Sequence, residues 1–148
     1  MRYLKFMTFV LFICLVSLSG CKKSGCNDIY ADNYDVEADY YEPNSCYYSI
    51  GIGVWWDEST TQYLLKHGVT ALSIYVDGKF IDSKAASTYW RSVPTFSNSI
   101  HYTKSLGTIN QGTVHVEVYD QSGNLGWDFT RTITASTGQE VIQLKAGN

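Results

Sequence analysis

His115 and Glu117 stand two apart in a run where Val114, Val116 and Val118 alternate with them. That period is a strand, and residues two apart on a strand project from one face. An imidazole and a carboxylate placed so, joined by His101 if its strand pairs nearby, have the ligand types of an open zinc site. A metal-dependent hydrolase would be built on such a set. An ordinary solvated sheet face carries the same residues without a metal, because polar side chains alternate outward along half-buried strands.

A second group lies between Cys26 and Cys46. Asp28, Asp32, Asp35 and Asp39 offer carboxylates, and Asn27, Asn33 and Asn44 offer amide oxygens. Calcium takes roughly six to eight oxygens. The spacing lacks the D-x-D-x-D-G run of a helix-loop-helix calcium site, so a solvated acidic loop is the competing reading. The third group is aromatic: 4 Trp, 12 Tyr and 6 Phe. Trp55 and Trp56 are neighbours, and neighbours on a strand face opposite sides. One is expected in the core and the other outward, unless a second layer covers it. With Trp90, Tyr119, Tyr89 and Tyr102, an outward tryptophan would make a stacking platform for a glycan or an envelope protein. The same residues also fill small β cores.

No G-x-S-x-G, H-E-x-x-H, phosphate-binding loop or dinucleotide turn is present, so neither an enzyme nor a cofactor is expected. The runs that would position these groups are strands. Ile50, Ile52, Val54 and Trp56 alternate with Ser49, Gly51, Gly53 and Trp55, and Leu72, Ile74 and Val76 alternate up to Asp77-Gly78. Asp-Gly between β-rich runs predicts a tight hairpin. Trp127, Phe129 and Ile133 share a face apart from Arg131, and Ile142 and Leu144 mark a last strand. One short helix is predicted after Ser59, through Tyr63, Leu64 and Leu65, stopped by Gly68. The fold class is therefore all-β, a small antiparallel β-sandwich of immunoglobulin-like or related topology. No Cys-Trp-Cys spacing fixes its strand order.

The N-terminus carries an address. Arg2 and Lys5 precede thirteen largely apolar residues, Phe6 to Leu18, followed by small residues. That order is a secretory signal, and a helix of that length is about 20 Å, short of a bilayer core of about 30 Å. Leu18-Ser19-Gly20-Cys21 resembles a lipobox, the processing site of bacterial lipoproteins. The resemblance implies removal of residues 1–20 and lipid on Cys21, hence a membrane partner reached through that lipid. Two or more acyl chains hold stably where one is marginal.

Arg2 and Lys5 leave with the signal, so nine basic residues face fourteen acidic ones, a net charge of −5. Nothing in that balance suits nucleic acid. Cys14 leaves and Cys21 takes lipid, so Cys26 and Cys46 remain as a pair and predict a disulfide in an oxidising compartment. Gly25-Cys26, Asp28, Ala31, Asn33-Tyr34-Asp35, Ala38, Asn44-Ser45-Cys46 and Tyr48 resemble a short element of exported Bacteroidota proteins. This chain departs from it at Glu42-Pro43-Asn44, where the element has two acids and Gly.

The expected organisation is a signal over 1–20, a tether over 21–25, an acidic disulfide-closed segment over 26–48 and the sandwich over 49–148. Lys22-Lys23 after the cysteine, with no Asp there, resembles outer-membrane rather than inner-membrane lipoproteins. In Bacteroidota lipoproteins surface export looks linked to acids close behind the cysteine; the first acid here is Asp28, so the resemblance favours the periplasmic face over the cell surface.

Overall fold

The computed structural model describes residues 22–42 and 44–146. The signal segment 1–20, the lipidation site Cys21 and the positions Pro43, Gly147 and Asn148 lie outside the described residues.

Two short strands come first, β1 (Ser24–Gly25) and β2 (Tyr40–Tyr41), paired in parallel. Seven longer ones follow: β3 (Tyr48–Trp56), β4 (Ala71–Val76), β5 (Lys79–Ala85), β6 (Ile100–Gly107), β7 (Gln111–Asp120), β8 (Leu125–Thr134) and β9 (Gln139–Leu144). A single α-helix among the described residues, α1 (Glu58–Lys66), links β3 to β4. The long strands form two sheets, β6-β3-β9 and β5-β4-β7-β8. The apolar alternations read from the sequence meet between them. Ile50, Ile52, Val54 and Trp56 share one core with Leu72, Ile74, Val76, Val114, Val116 and Val118.

The chain is thus an all-β sandwich, as the patterning predicts. Neighbouring long strands are antiparallel except β9, which runs parallel to β3. Lettering the seven strands A to G gives D-A-G over C-B-E-F. An immunoglobulin constant domain instead has A-B-E-D over C-F-G. The orders part first at A and B, which α1 sends to different sheets, and again at Asp77-Gly78. Both residues have positive φ, 51° and 72°, as a two-residue hairpin turn of this kind requires, so the second and third strands stay in one sheet.

Asp77 also ties the two sheets together. Its N–H donates to His115 O (2.8 Å), its Oδ1 accepts from His115 N (3.0 Å), and its Oδ2 meets Lys104 Nζ at 2.6 Å. Lys104 comes from β6 in the other sheet and also donates to Thr113 O. Burial alone would raise the Asp77 carboxyl, but Lys104 and the His115 N–H bring it below its ordinary value.

Helix α1 starts one cap earlier than the sequence suggests. Asp57, not Ser59, is the N-cap: its Oδ1 accepts from Thr60 N at 2.9 Å. Its Oδ2 accepts from Gln143 Nε2, which fixes the helix start to β9. Gly68 (φ 76°) follows the last turn, as expected.

The acidic segment does not stand apart from the sandwich. Cys26 and Cys46 are bonded with Cα atoms 4.9 Å apart, inside the usual range. They pack with Ala31, Tyr48 and Ala135, against which Leu106 also lies. Tyr48 is already the first residue of β3, and its hydroxyl donates to Asp28 Oδ2 at 2.7 Å. Ser49 Oγ donates to Asp32 Oδ1, Asp32 N donates to Tyr47 O, and Asn33 bridges to Ser45 O and Tyr47 N.

The tether expected over 21–25 is correspondingly shorter. Ser24 and Gly25 are strand residues, and Lys23 bonds to Asp35 (2.9 Å) and Glu37 (3.2 Å). Asn44 has φ 68°, a left-handed turn position that Asn tolerates.

Two expected outcomes follow from this fold. Asp77→Ala loses two hydrogen bonds and strains a positive-φ position, costing about 2–3 kcal/mol in urea denaturation. Asp77→Asn, which tolerates that φ and keeps an acceptor for His115 N–H, costs clearly less, and the gap between native and Asn proteins narrows below about pH 4 as the carboxylate protonates. Equal losses in the Ala and Asn proteins would contradict the account. The disulfide closes a loop worth about 3 kcal/mol. Its reduction is expected to raise amide exchange across residues 26–46 while β4 and β7 stay protected; exchange rising equally in β7 would show that the sandwich depends on the staple.

Candidate binding face

On β4, β5, β7 and β8, residues that pair across the ladder share a face, and those opposite the core point to solvent. One cross-strand row there reads Phe80, Tyr75, Glu117, Asp128, because Tyr75 pairs with both Phe80 and Glu117, and Glu117 pairs with Asp128. The next reads Ser83, Ser73, Tyr119, by the same pairings. His115 pairs with Thr130 beside them. No Lys or Arg occupies an outward position on these four strands. Ser73, Tyr75, Gly78, Glu117, Tyr119 and Gln121 line a groove of about 560 Å³ along this face.

The side chains of the face hold one another. Tyr75 packs edge-on with Phe80 and Tyr119, each ring centroid 5.5 Å away. Tyr119 Oη donates to Glu117 Oε1 at 2.8 Å, and that bond holds the tyrosine protonated above its usual range. His115 Nε2 lies 2.5 Å from Asp128 Oδ1, and Nδ1 lies 3.9 Å from Glu117 Oε2. The hydrogen bond to Asp128 is the main reason the imidazole holds its proton above the ordinary histidine value. Together these contacts orient Asp128, His115, Glu117 and Tyr119 across two strands.

The structure therefore brings together part of what the sequence offered. His115 and Glu117 share a face as predicted. His101 does not join them: it lies on β6 in the other sheet, with Nδ1 near Ser99 O and its ring against Phe96. Among the described residues no three His, Cys, Asp or Glu side chains are grouped to hold a metal.

The acidic segment gives the same answer for calcium. Asp28 is bonded to Tyr30 N and Tyr48 Oη, Asp32 to Ser49, Asp35 to Glu37 N and Lys23, and Asp39 to Lys23 N. These carboxylates cap turns and receive local donors instead of converging on one point.

The tryptophan platform is corrected as well. Trp55 and Trp56 are both buried, at 5% and 0% exposure. Trp56 faces the core, and Trp90 meets it edge-on at 5.5 Å. Trp90 spends its own N–H on Asn98 O. Trp55 points to the other side of β3, where a second layer lies. Phe96 sits over Gly51, where an added Cβ would come 2.8 Å from its ring, and Ser99 sits as closely over Gly53. Only glycine leaves room for that loop. Of the six aromatics named from sequence, Tyr119 alone belongs to the open face; Tyr89 and Tyr102 pack against the core, and the partners of Tyr119, Tyr75 and Phe80, were missed. The missing signal was the register: Tyr75 and Phe80 flank Asp77-Gly78, so a hairpin places them side by side.

If the Asp128 bond sets the His115 proton, Asp128→Asn should return the imidazole midpoint towards about 6.5. The native midpoint is expected above that value, and NMR titration of the ring protons reads both. The pair stabilises the fold fully below the unfolded histidine pKa and loses that contribution as pH rises through the folded value. Identical midpoints in the two proteins would remove Asp128 from the account. Neither a protein-family model, a curated protein nor a solved structure matches this chain.

Proposed function

We propose that this chain is a lipid-anchored cell-envelope protein whose sandwich is a non-catalytic binding module, with the outer face of β5-β4-β7-β8 as its ligand surface. The observation that carries the binding reading is that face. Three aromatic side chains lie beside two carboxylates and an imidazole, their positions held by mutual contacts. Such a surface is formed before any ligand arrives, so little ordering cost falls on binding. The anchoring rests on Arg2, Lys5, the apolar run to Leu18, and Leu18-Ser19-Gly20-Cys21. The outer membrane, periplasmic side, is the address that Lys22-Lys23 and the absence of an early acid favour.

A binding role is supported over a hydrolytic one by the company His115 keeps. Among the described residues its side-chain partners are Asp128 and Glu117, and no Ser, Thr or Cys nucleophile bonds to it. Acyl transfer begins from a nucleophile bonded to a base. The ligand class that the face suits best is a neutral glycan. Aromatic surface contacts the apolar side of a sugar ring, the carboxylates accept from hydroxyls, and the lack of Lys or Arg offers an acidic polysaccharide no counter-charge.

Two measurements test these readings separately. Intact mass of the purified envelope protein should show a diacylglyceryl-modified, acylated Cys21, and Cys21→Ser should abolish it; an unmodified N-terminus elsewhere would refute the anchor. Affinity electrophoresis through gels of neutral envelope and plant polysaccharides should retard the native protein. Tyr75→Ala with Tyr119→Ala should lose roughly ten- to a hundredfold in affinity, about 1–3 kcal/mol, with the fold intact. Retardation by uronate-rich gels alone would contradict the assignment.

A further inference from the structure

Cys21 is the proposed lipid site, and the chain is fixed almost at once beyond it. Lys23 is held by Asp35 and Glu37 through its side chain and by Asp39 through its N–H. Ser24 and Gly25 are then paired with Tyr40 and Tyr41. Two residue steps separate Cys21 from Lys23, a span of at most about 7 Å. The polar layer on each side of a bilayer core is itself roughly 5–7 Å thick. A lipid on Cys21 therefore leaves the β1-β2 ribbon no distance in which to stand clear of the headgroups.

The ribbon's surface suits that position. Tyr40 is 60% exposed and Tyr41 44%, although both are large and aromatic. Tyr34, Tyr30, Tyr47 and Val36 are also exposed on the same stapled segment. Tyrosine is the side chain that favours a membrane-water boundary, with an apolar body and a polar tip. Asp28, Asp32, Asp35 and Asp39, by contrast, are engaged by local donors.

We propose that the β1-β2 ribbon is a membrane foot: Tyr40 and Tyr41 enter the headgroup layer beside the lipidated Cys21 and fix how the sandwich stands on the bilayer. This rests on the lipid-anchor reading above. The occupant of the surface is the phospholipid interface itself. The segment's acids and its lack of further lysines make a zwitterionic surface the better match than an anionic one.

The foot also sets what is displayed. β3 runs from Tyr48, beside the disulfide, to Trp56, a rise of about 27 Å. Trp56 pairs with Leu144, so the end of β9 lies at the far pole, away from the membrane. Leu72 pairs with Asp120, and with Leu64 of α1, Leu125 and Lys145 these two line a cleft of about 300 Å³.

The test uses the lipidated mature protein in phosphatidylcholine nanodiscs containing a headgroup spin-labelled lipid. Amide signals of Ser24, Gly25, Tyr40 and Tyr41 should be lost, while those of Ser122 to Asn124 at the far pole persist. Tyr40→Ser with Tyr41→Ser changes only exposed positions on a two-stranded ribbon, so the sandwich should fold. In that variant the lipid still keeps the ribbon at the headgroups, but broadening should spread to the pole as the sandwich tilts; a pole as sharp as in the native protein would overturn the foot. A lipidated protein whose ribbon is no more broadened than residues 122–124 would overturn the foot and leave the anchor standing. A purified protein with no lipid mass would overturn the anchor and the foot together. Stronger broadening in phosphatidylglycerol discs than in phosphatidylcholine discs would overturn the zwitterionic preference.

Discussion

The hydrogen bond from Tyr48 to Asp28 joins two things that the sequence presents as separate. With it, the disulfide-closed acidic loop is part of the sandwich's base. Tyr48 is buried, and the carboxylate of Asp28 pushes its hydroxyl up to about 12. Asp28 is lowered in turn by Tyr30 N–H and by Tyr48. The phenol therefore stays protonated and the acid ionised across the physiological range, so the bond does not switch. Because Tyr48 also begins β3, whatever fixes the loop fixes the central strand of the smaller sheet.

The rest of the architecture extends from that strand. β3 is buried on both sides, which is unusual in so small a domain, and the reason is a third layer. Core residues cover one face and the segment carrying Phe96 and Ser99 covers the other. The outer face of β3 is consequently closed to ligands, and the open face falls to the four-stranded sheet. Asp77 and Lys104 connect that sheet to β6, so the binding face and the base belong to one mechanical unit.

Much of this was legible before any coordinates. Period-two alternation at Ile50–Trp56, Leu72–Val76 and Val114–Val118 marked the core strands, and Asp77-Gly78 marked the hairpin. The lone pair Cys26 and Cys46 gave the disulfide. What failed was whatever depended on distant pairing. The closing of the outer side of β3 requires a loop with no periodic signature to fold over Gly51 and Gly53. The separation of His101 from His115 requires the sheet assignment of β6. The acids of the leader read as free ligands because their donors, Tyr48, Ser49 and Lys23, lie on other turns of the chain. Ser59 and Asp57 are both capping residue types, and only the backbone path brings the Thr60 N–H to Asp57.

The account's central claim is that leader and sandwich form one rigid body. It is tested most directly by ¹⁵N relaxation on the mature Cys21→Ser protein in solution. Order parameters over residues 23–46, loop tips apart, should match those of β3, β4 and β7, near about 0.85. Values below about 0.6 through the leader, beside a rigid sandwich, would show a flexible tether in place of a fixed base.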